Sequence, residues 1–314
     1  MKFLKDLVNS QEKLFEKGGK LERLYPLYEA GASFLFSTKE TSKSNVHVRD
    51  SLDTKRYMSV VILALIPCIL FGIYNSGLQS HIAGGQTLDL VPVILTGLKL
   101  SLPIIIVSYA VGGIWELLFA LIRRHEINEG FLVTGILFPL TLPSTIPLWQ
   151  VAMGISFGVI IGKEVFGGSG RNFLNPALTA RAFLFFTYPA YISGDAVWIS
   201  TNIWSKVADG YSGATALAVA AAAKAPETVT TLLVEKGFTW NQLFLGFVPG
   251  SIGETSTVCV LLGAGLLLIT KVGSWRTMVG CLAGAVSTAW IFNVFSTSET
   301  LPFLELPPEW HIVM

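Results

Sequence analysis

Tyr57-Met-Ser-Val-Val-Ile-Leu-Ala-Leu-Ile-Pro-Cys-Ile-Leu-Phe-Gly-Ile-Tyr74 contains 18 residues and no charge. As a helix rising about 1.5 Å per residue, it is long enough to cross the hydrocarbon core of a bilayer with little tilt. Working outward, residues 100–122 form a second apolar run with one charge, Glu116, and residues 130–162 form a third of 33 uncharged residues. The third is too long for one span. Pro139, Pro143 and Pro147 mark a turn in its middle, so it reads as two spans, roughly 130–146 and 149–166. Residues 182–200 give a fifth run, interrupted by Pro189 and Asp195, and residues 255–270 and 278–295 a sixth and seventh. The predicted fold class is an all-α polytopic membrane protein.

Composition agrees. Of the 314 residues 52% are hydrophobic and 14% charged, against about a quarter charged in a soluble domain. Residues 1–56 hold 11 of the 22 Lys and Arg and 8 of the 21 Asp and Glu, leaving 24 charges for the other 258 residues. A soluble domain so composed could not cover its own surface. A net charge of +1 gives no basic patch on which to propose nucleic-acid binding. Cys68, Cys259 and Cys281 lie in apolar runs without CxxC or Cys/His spacing, so they read as small core residues, with no disulfide framework or metal site.

Flanking charge orients the spans. Arg49, Lys55 and Arg56 precede the first; Arg123 and Arg124 follow the second; Lys163, Arg171 and Arg181 lie between the fourth and fifth; Lys271 and Arg276 separate the sixth and seventh. The loops 75–99 and 140–148 carry almost no Lys or Arg. All basic clusters fall on one side if the N-terminus is cytoplasmic, which puts 201–254 on the outer face. Four regions result: a cytoplasmic amphipathic N-terminal segment (1–56), a first five-span unit (57–200), the outer segment (201–254) and the start of a second unit (255–314). Five spans separate the starts of the two units, so the second is inverted relative to the first, as in many transport folds. The second repeat is incomplete: the chain reaches Met314 as Trp310-His-Ile-Val-Met turns apolar again, about three spans short, as in a truncated chain. Near the N-terminus no apolar segment followed by a small-residue cleavage site marks a secretory signal. Instead Phe3, Leu4, Leu7, Val8, Leu14 and Phe15 recur at helical spacing among Lys2, Lys5, Lys13 and Lys17. That pattern suits a helix in the headgroup plane, the alternative being a solvated tail.

Four features are candidates for chemistry. Asp209-Gly-Tyr-Ser-Gly-Ala-Thr215 is a small-residue turn ending in a hydroxyl before an Ala-rich run; on composition it reads first as a loop capping a helix through Ser212 or Thr215. Gly167-Gly-Ser-Gly-Arg-Asn-Phe-Leu-Asn-Pro176 joins two spans and offers the paired amides of Asn172 and Asn175 on a backbone that a ligand can approach closely, or else is a tight interfacial turn. It matches no phosphate-loop motif. Gly112-Gly-Ile-Trp-Glu116 places an acid in an apolar span, by default an ion- or proton-path candidate, with an interfacial acid as the alternative. Glu254, after Pro249-Gly-Ser-Ile-Gly, is either an acid on an ion path or a charge complementing a helix N-terminus, and the second is the expectation.

At Ser212-Gly-Ala-Thr215 the sequence resembles the B subunits of the Na+-translocating NADH:quinone oxidoreductase. The likeness extends over nearly the whole chain, through Phe15-Glu-Lys-Gly-Gly-Lys20, His47-Val-Arg-Asp-Ser51, Val111-Gly-Gly-Ile-Trp-Glu116, Arg124-His-Glu-Ile-Asn-Glu-Gly-Phe131, Lys163-Glu-Val-Phe-Gly-Gly168, Arg171-Asn-Phe-Leu-Asn-Pro-Ala-Leu178 and Pro249-Gly-Ser-Ile-Gly-Glu254. The resemblance implies a component of a six-subunit complex in the bacterial inner membrane that passes electrons to ubiquinone as Na+ is exported. It implies FMN attached through a phosphoester to Thr215 by a flavin transferase that reads Ser212, Gly213, Ala214 and the preceding Asp209 turn on the periplasmic side, which reverses the capping-loop reading. It further implies a non-covalent riboflavin at Asn172 and Asn175, ubiquinone near Gly112 and Gly113 on the cytoplasmic side, and Na+ uptake at Glu116. Members of that family continue through further spans past the point matching Met314. The D subunit of the related Rnf complex shares the flavin site and span pattern but exchanges electrons with ferredoxin. The long basic extension 1–56 favours the quinone-reducing family. A colourless inverted-repeat channel is a third alternative, and a visible spectrum separates it.

Overall fold

The computed structural model describes residues 53–123, 127, 129–201, 213–223, 228–296 and 302–314, with residues 10–11, 14–15, 19, 21–22 and 25–35 near the N-terminus. Asp209, Ser212 and most of the expected headgroup helix lie outside the described residues.

Among the described residues the chain is all helical, with no strand. The elements are α1 (Tyr25–Leu35), α2 (Thr54–Ala83), α3 (Leu90–Arg123), α4 (Gly130–Leu140), α5 (Leu148–Ile160), α6 (Pro176–Thr187), α7 (Pro189–Ile192), α8 (Ala216–Ala222), α9 (Val229–Glu235), α10 (Trp240–Leu245), α11 (Thr257–Ile269), α12 (Trp275–Phe295) and α13 (Trp310–Val313). Four of the described helices are long and apolar enough to cross a membrane: α2, α3, α5 with its continuation to Phe166, and α12. α4 and α11 are apolar but shorter. Several helices depart from the bounds of the apolar runs.

The first correction concerns α2 and α3, which run further than the apolar runs. The loop expected over 75–99 shrinks to residues 84–89. Asn75, Gln79, Ser80 and His81 are polar yet buried, because they face the bundle and find partners there. Asn75 Nδ2 donates to the Val248 carbonyl at 2.9 Å. His81 bonds the Thr87 carbonyl through Nδ1 at 2.6 Å and Thr96 Oγ1 through Nε2 at 2.9 Å.

A second correction replaces the span expected over 182–200 by α6, which starts earlier and ends sooner. Asn175 caps it by accepting from the Ala177 and Leu178 amides at 2.9 and 3.3 Å, and Pro176 occupies the first helical position. Tyr188, at φ −132° and ψ 55° ahead of Pro189 and so outside the helical region, breaks it. Twelve residues reach only about 18 Å.

α4 likewise stops at Leu140, and residues 141–147 pass through the bundle without helical structure. Irregular backbone at that depth needs partners. The Ile252 amide donates to the Leu142 carbonyl at 3.0 Å and the Gly253 amide to Leu140 at 2.8 Å, while Thr145 Oγ1 donates to the Val197 carbonyl. Three non-helical segments therefore satisfy one another inside the apolar bundle. Their surroundings are Ile104, Phe138, Ile146, Ile155, Leu184 and Ile252. The Ile252 carbonyl sits where a Cβ on Gly72 would be 1.8 Å away, so α2 accepts only glycine there.

The helices alternate in direction as most of the charge pattern predicts, but Arg181, expected with the basic clusters, lies within α6 and pairs with Glu254. Lys55 pairs with Glu129 at 2.9 Å, Arg123 with Glu164 at 3.0 Å, and Tyr57 Oη donates to the Val272 carbonyl at 2.7 Å. These contacts gather the start of α2, the end of α3, the start of α4, the end of α5 and the end of α11 at one end of the bundle. At the other end α8–α10 and residues 302–314 share a small separate core around Val219, Leu233, Leu243 and Leu306. α12 buries only Ala289 and presents Trp275, Trp290 and Phe295 outward.

Candidate functional site

At the basic end, Glu116 lies on α3 with its side chain 3% exposed. It meets Lys163, which donates to Glu116 Oε1. Lys163 sits just past α5, where the helix unwinds into a 3-10 turn at residues 164–166, and its ammonium also lies 3.7 Å from Glu164 Oε1. Arg123 closes the group, giving one nitrogen to Glu164 Oε2 at 3.0 Å and the other to the Glu164 carbonyl oxygen at 2.7 Å. Two acids and two bases thus form one chain, with Glu116, Lys163 and Glu164 all but removed from solvent. Such burial is tolerable because every one of these carboxylates has a cation beside it. Glu116 is thus not a solvated surface acid. Lys163, read from sequence as a loop charge closing the fourth span, is the residue that pattern reading missed. The signal was present: a Lys-Glu pair ends 33 uncharged residues, as Glu116 interrupts 23.

Gly112 and Gly113, one turn before Glu116, differ. A Cβ on buried Gly112 would be 2.4 Å from the Phe131 ring, so its hydrogen makes room for that ring. At Gly113 the same atom would meet Phe131 at 3.8 Å, an ordinary contact, and the residue is half-exposed. Only Gly113 leaves a face on which a flat ligand can lie.

The glycine-rich connection turns through three left-handed residues, Gly167, Gly168 and Gly170. Asn172 and Asn175 both emerge from it, and both already work locally. Asn172 Nδ2 donates to the Leu174 carbonyl at 2.7 Å, and Asn175 Oδ1 carries the α6 cap. Asn172 Oδ1 and Asn175 Nδ2 are the groups left for a ligand, beside Phe173, whose ring is 77% exposed and edge-on to Phe166 at 4.6 Å.

Thr215 is at the opposite end of the bundle. It caps α8, its Oγ1 accepting from the Ala218 amide at 3.3 Å. Gly213 is pressed against the Asp195 carbonyl, 2.7 Å from where a Cβ would be, so the Gly-Ala-Thr turn is held by backbone contact that no side chain allows. Thr215 lines a cavity of about 230 Å³ whose other walls include Trp198, Arg181, Ser251, Glu254 and Met314. Glu254 accepts from Ser251 Oγ at 3.0 Å and pairs with Arg181 at 3.3 Å. This corrects the expectation that Glu254 serves a helix N-terminus: α11 starts three residues later and is capped by Ser256, which accepts from the Cys259 amide at 3.4 Å. Among the described residues no group of three or more His, Cys, Asp or Glu is placed to hold a metal ion.

The family model for the NQR2, RnfD, RnfE family matches residues 41–314. The chain is 46% identical to the B subunit of the Na(+)-translocating NADH-quinone reductase of Chromohalobacter salexigens, covering 99% of this chain and 77% of the relative. It is 47% identical to the protein of the same name from Azotobacter vinelandii, over 95% of this chain and 77% of the relative. Against that from Klebsiella pneumoniae the identity is 44%, over 99% and 80%.

Proposed function

Because the chain belongs to the NQR2, RnfD, RnfE family, we propose that it is the quinone-reducing membrane subunit of a Na+-translocating NADH:quinone reductase. It works with other membrane and peripheral subunits in a bacterial inner membrane. The N-terminus and basic end face the cytoplasm, and Thr215 faces the periplasm, where a flavin transferase attaches FMN. The relatives named above favour quinone over ferredoxin as electron partner. The opposite directions of α2 and α11, which pack together, support an inverted repeat of five-span units begun a second time at α11.

The observation that carries the proposal is Thr215 on the rim of a cavity that also contains Arg181. A phosphoester on the threonine oxygen is anionic, and a guanidinium is the side chain best matched to it. Trp198 in the same wall suits a flat ring. At the basic end, Asn172 Oδ1, Asn175 Nδ2 and the exposed Phe173 suit the edge and face of riboflavin, and Gly113 leaves a surface for a quinone ring. When bound, the flavins supply the electron-carrying chemistry. The protein's own part is to hold them at opposite ends of the bundle and to keep a buried carboxylate, Glu116, on the route of Na+.

In-gel fluorescence of the denatured protein tests this. The wild-type band fluoresces, and Thr215→Ala abolishes the signal while the protein still inserts. Full fluorescence in that variant rejects Thr215 as the attachment site.

A further inference from the structure

Lys163, buried against Glu116, is a charged group that the proposed function leaves without a task. We propose that it is the resident counter-ion of Glu116, a tethered cation that Na+ replaces during transport, with Glu164 as the carboxylate that receives the displaced ammonium. The inference rests on Glu116 being on the ion route, as proposed above, and adds how that site is kept neutral when Na+ is absent.

Three features support exchange over a fixed structural ion pair. The first is the second acceptor. The Lys163 ammonium contacts Glu116 and is already 3.7 Å from Glu164 Oε1, so both carboxylates lie within reach of one ammonium. The second is the carrier of the ammonium. α5 ends at Ile160, the backbone of Lys163 is at φ −133° and ψ −61°, and Gly162 and Gly167 flank the turn. A flexible four-carbon stem on unwound backbone is suited to movement, and an ammonium is a compact point charge close to a monovalent cation in its demands. The third is the charge count. Glu116, Glu164, Lys163 and Arg123 sum to zero, and Arg123, whose side chain is 34% exposed, sits where the group opens to the basic end of the bundle. In that resting state each of these two buried carboxylates has a cation beside it. When Na+ takes Glu116, the ammonium keeps a carboxylate, so neither ion is left alone in a medium where an isolated charge is costly. Sodium is a hard cation and prefers the carboxylate oxygen.

The test is a Na+ titration of quinone reduction by the purified complex carrying Lys163→Gln, Glu116→Gln or both, with flavin content measured in parallel. Glu116→Gln raises the half-saturating Na+ concentration. Lys163→Gln removes the competitor and lowers half-saturation about five-fold or more. The double variant matches Glu116→Gln, because the effect of Lys163 passes through Glu116. If Glu116→Gln leaves half-saturation unchanged, the ion route itself is misplaced, and this inference falls with it. If Glu116→Gln raises half-saturation but Lys163→Gln leaves it unchanged or raises it equally, the ion route stands and the counter-ion role is overturned. Should Lys163→Gln not assemble, Lys163→Arg decides. A guanidinium holds carboxylates in a fixed fork and yields less readily, so half-saturation rises while the rate at saturating Na+ is kept. An unchanged value overturns the inference.

Discussion

Asn175 has two tasks, and the structure separates them. Its Oδ1 accepts from two amides at the start of α6, which leaves Nδ2 as the donor for a ligand. Replacement by Leu therefore confounds a lost cap with a lost ligand contact. Loss of an Asn cap costs about 1 kcal/mol. Loss of one ligand hydrogen bond costs a similar amount, on the order of a five- to ten-fold fall in affinity. Ser and Asp cap as Asn does, yet neither has the amide donor. Asn175→Ser and Asn175→Asp are therefore expected to keep the melting temperature of the complex within about 1 °C of wild type, since a retained cap leaves no net loss to convert into a shift. Both lose most of the extractable riboflavin when the complex is washed at riboflavin concentrations near the wild-type dissociation constant. Asn175→Leu loses riboflavin and stability together. Extractable flavin per complex, measured by chromatography, and a thermal melt of the same preparation give both quantities. Full riboflavin in the Ser and Asp variants would refute the reasoning and leave Asn175 a helix cap.

Gly112 and Gly113 are expected to part company: Gly112→Ala displaces the Phe131 ring and destabilises by about 1–3 kcal/mol in a melt, whereas Gly113→Ala leaves the melt unchanged and raises the KM for quinone. Equal stability losses would place both glycines in packing alone. Gly72→Val drives a side chain into the Ile252 carbonyl and is expected to abolish stable accumulation of the protein in membranes, and normal accumulation would contradict the close approach of α2 to the 248–256 segment.

The helical class and the alternation of direction were legible because charge and apolarity are extensive properties: 24 charges cannot cover 258 residues, and Lys55, Arg123 and Lys163 mark span ends wherever the spans begin. Boundaries were not legible. A hydropathy run stops at Asn75, but α2 continues for nine residues because Asn75 and His81 are satisfied by partners outside the run, at Val248 and Thr96. Such partners are invisible to a local window. The same limit hid the fate of residues 182–200, where a cap at Asn175 and a break before Pro189 outweighed apolarity. Thr215 was legible as a cap from its neighbours alone. Its cavity was not, because Arg181 and Glu254 reach it from two distant segments.

The charge network carries one further consequence for coupling. Glu116, Lys163, Glu164 and Arg123 are neutral together, so entry of Na+ adds one positive charge to a nearly water-free part of the bundle. That charge is tolerated in proportion to how well something nearby offsets it, because Coulomb interactions are weakly screened where water is excluded. With the quinone at Gly113, as proposed above, an electron arriving there supplies the offset. Gly113 is three residues from Glu116 and so lies within about one helical turn of it on α3. The arrangement thus favours electron and cation arriving together over either arriving alone. In a variant whose network carries one positive charge fewer, such as Lys163→Gln, that mutual dependence weakens. Quinone reduction there is expected to respond less steeply to Na+, retaining a larger share of its maximal rate when Na+ is withdrawn. A rate that still falls to the wild-type Na+-free level would show that the offset lies elsewhere.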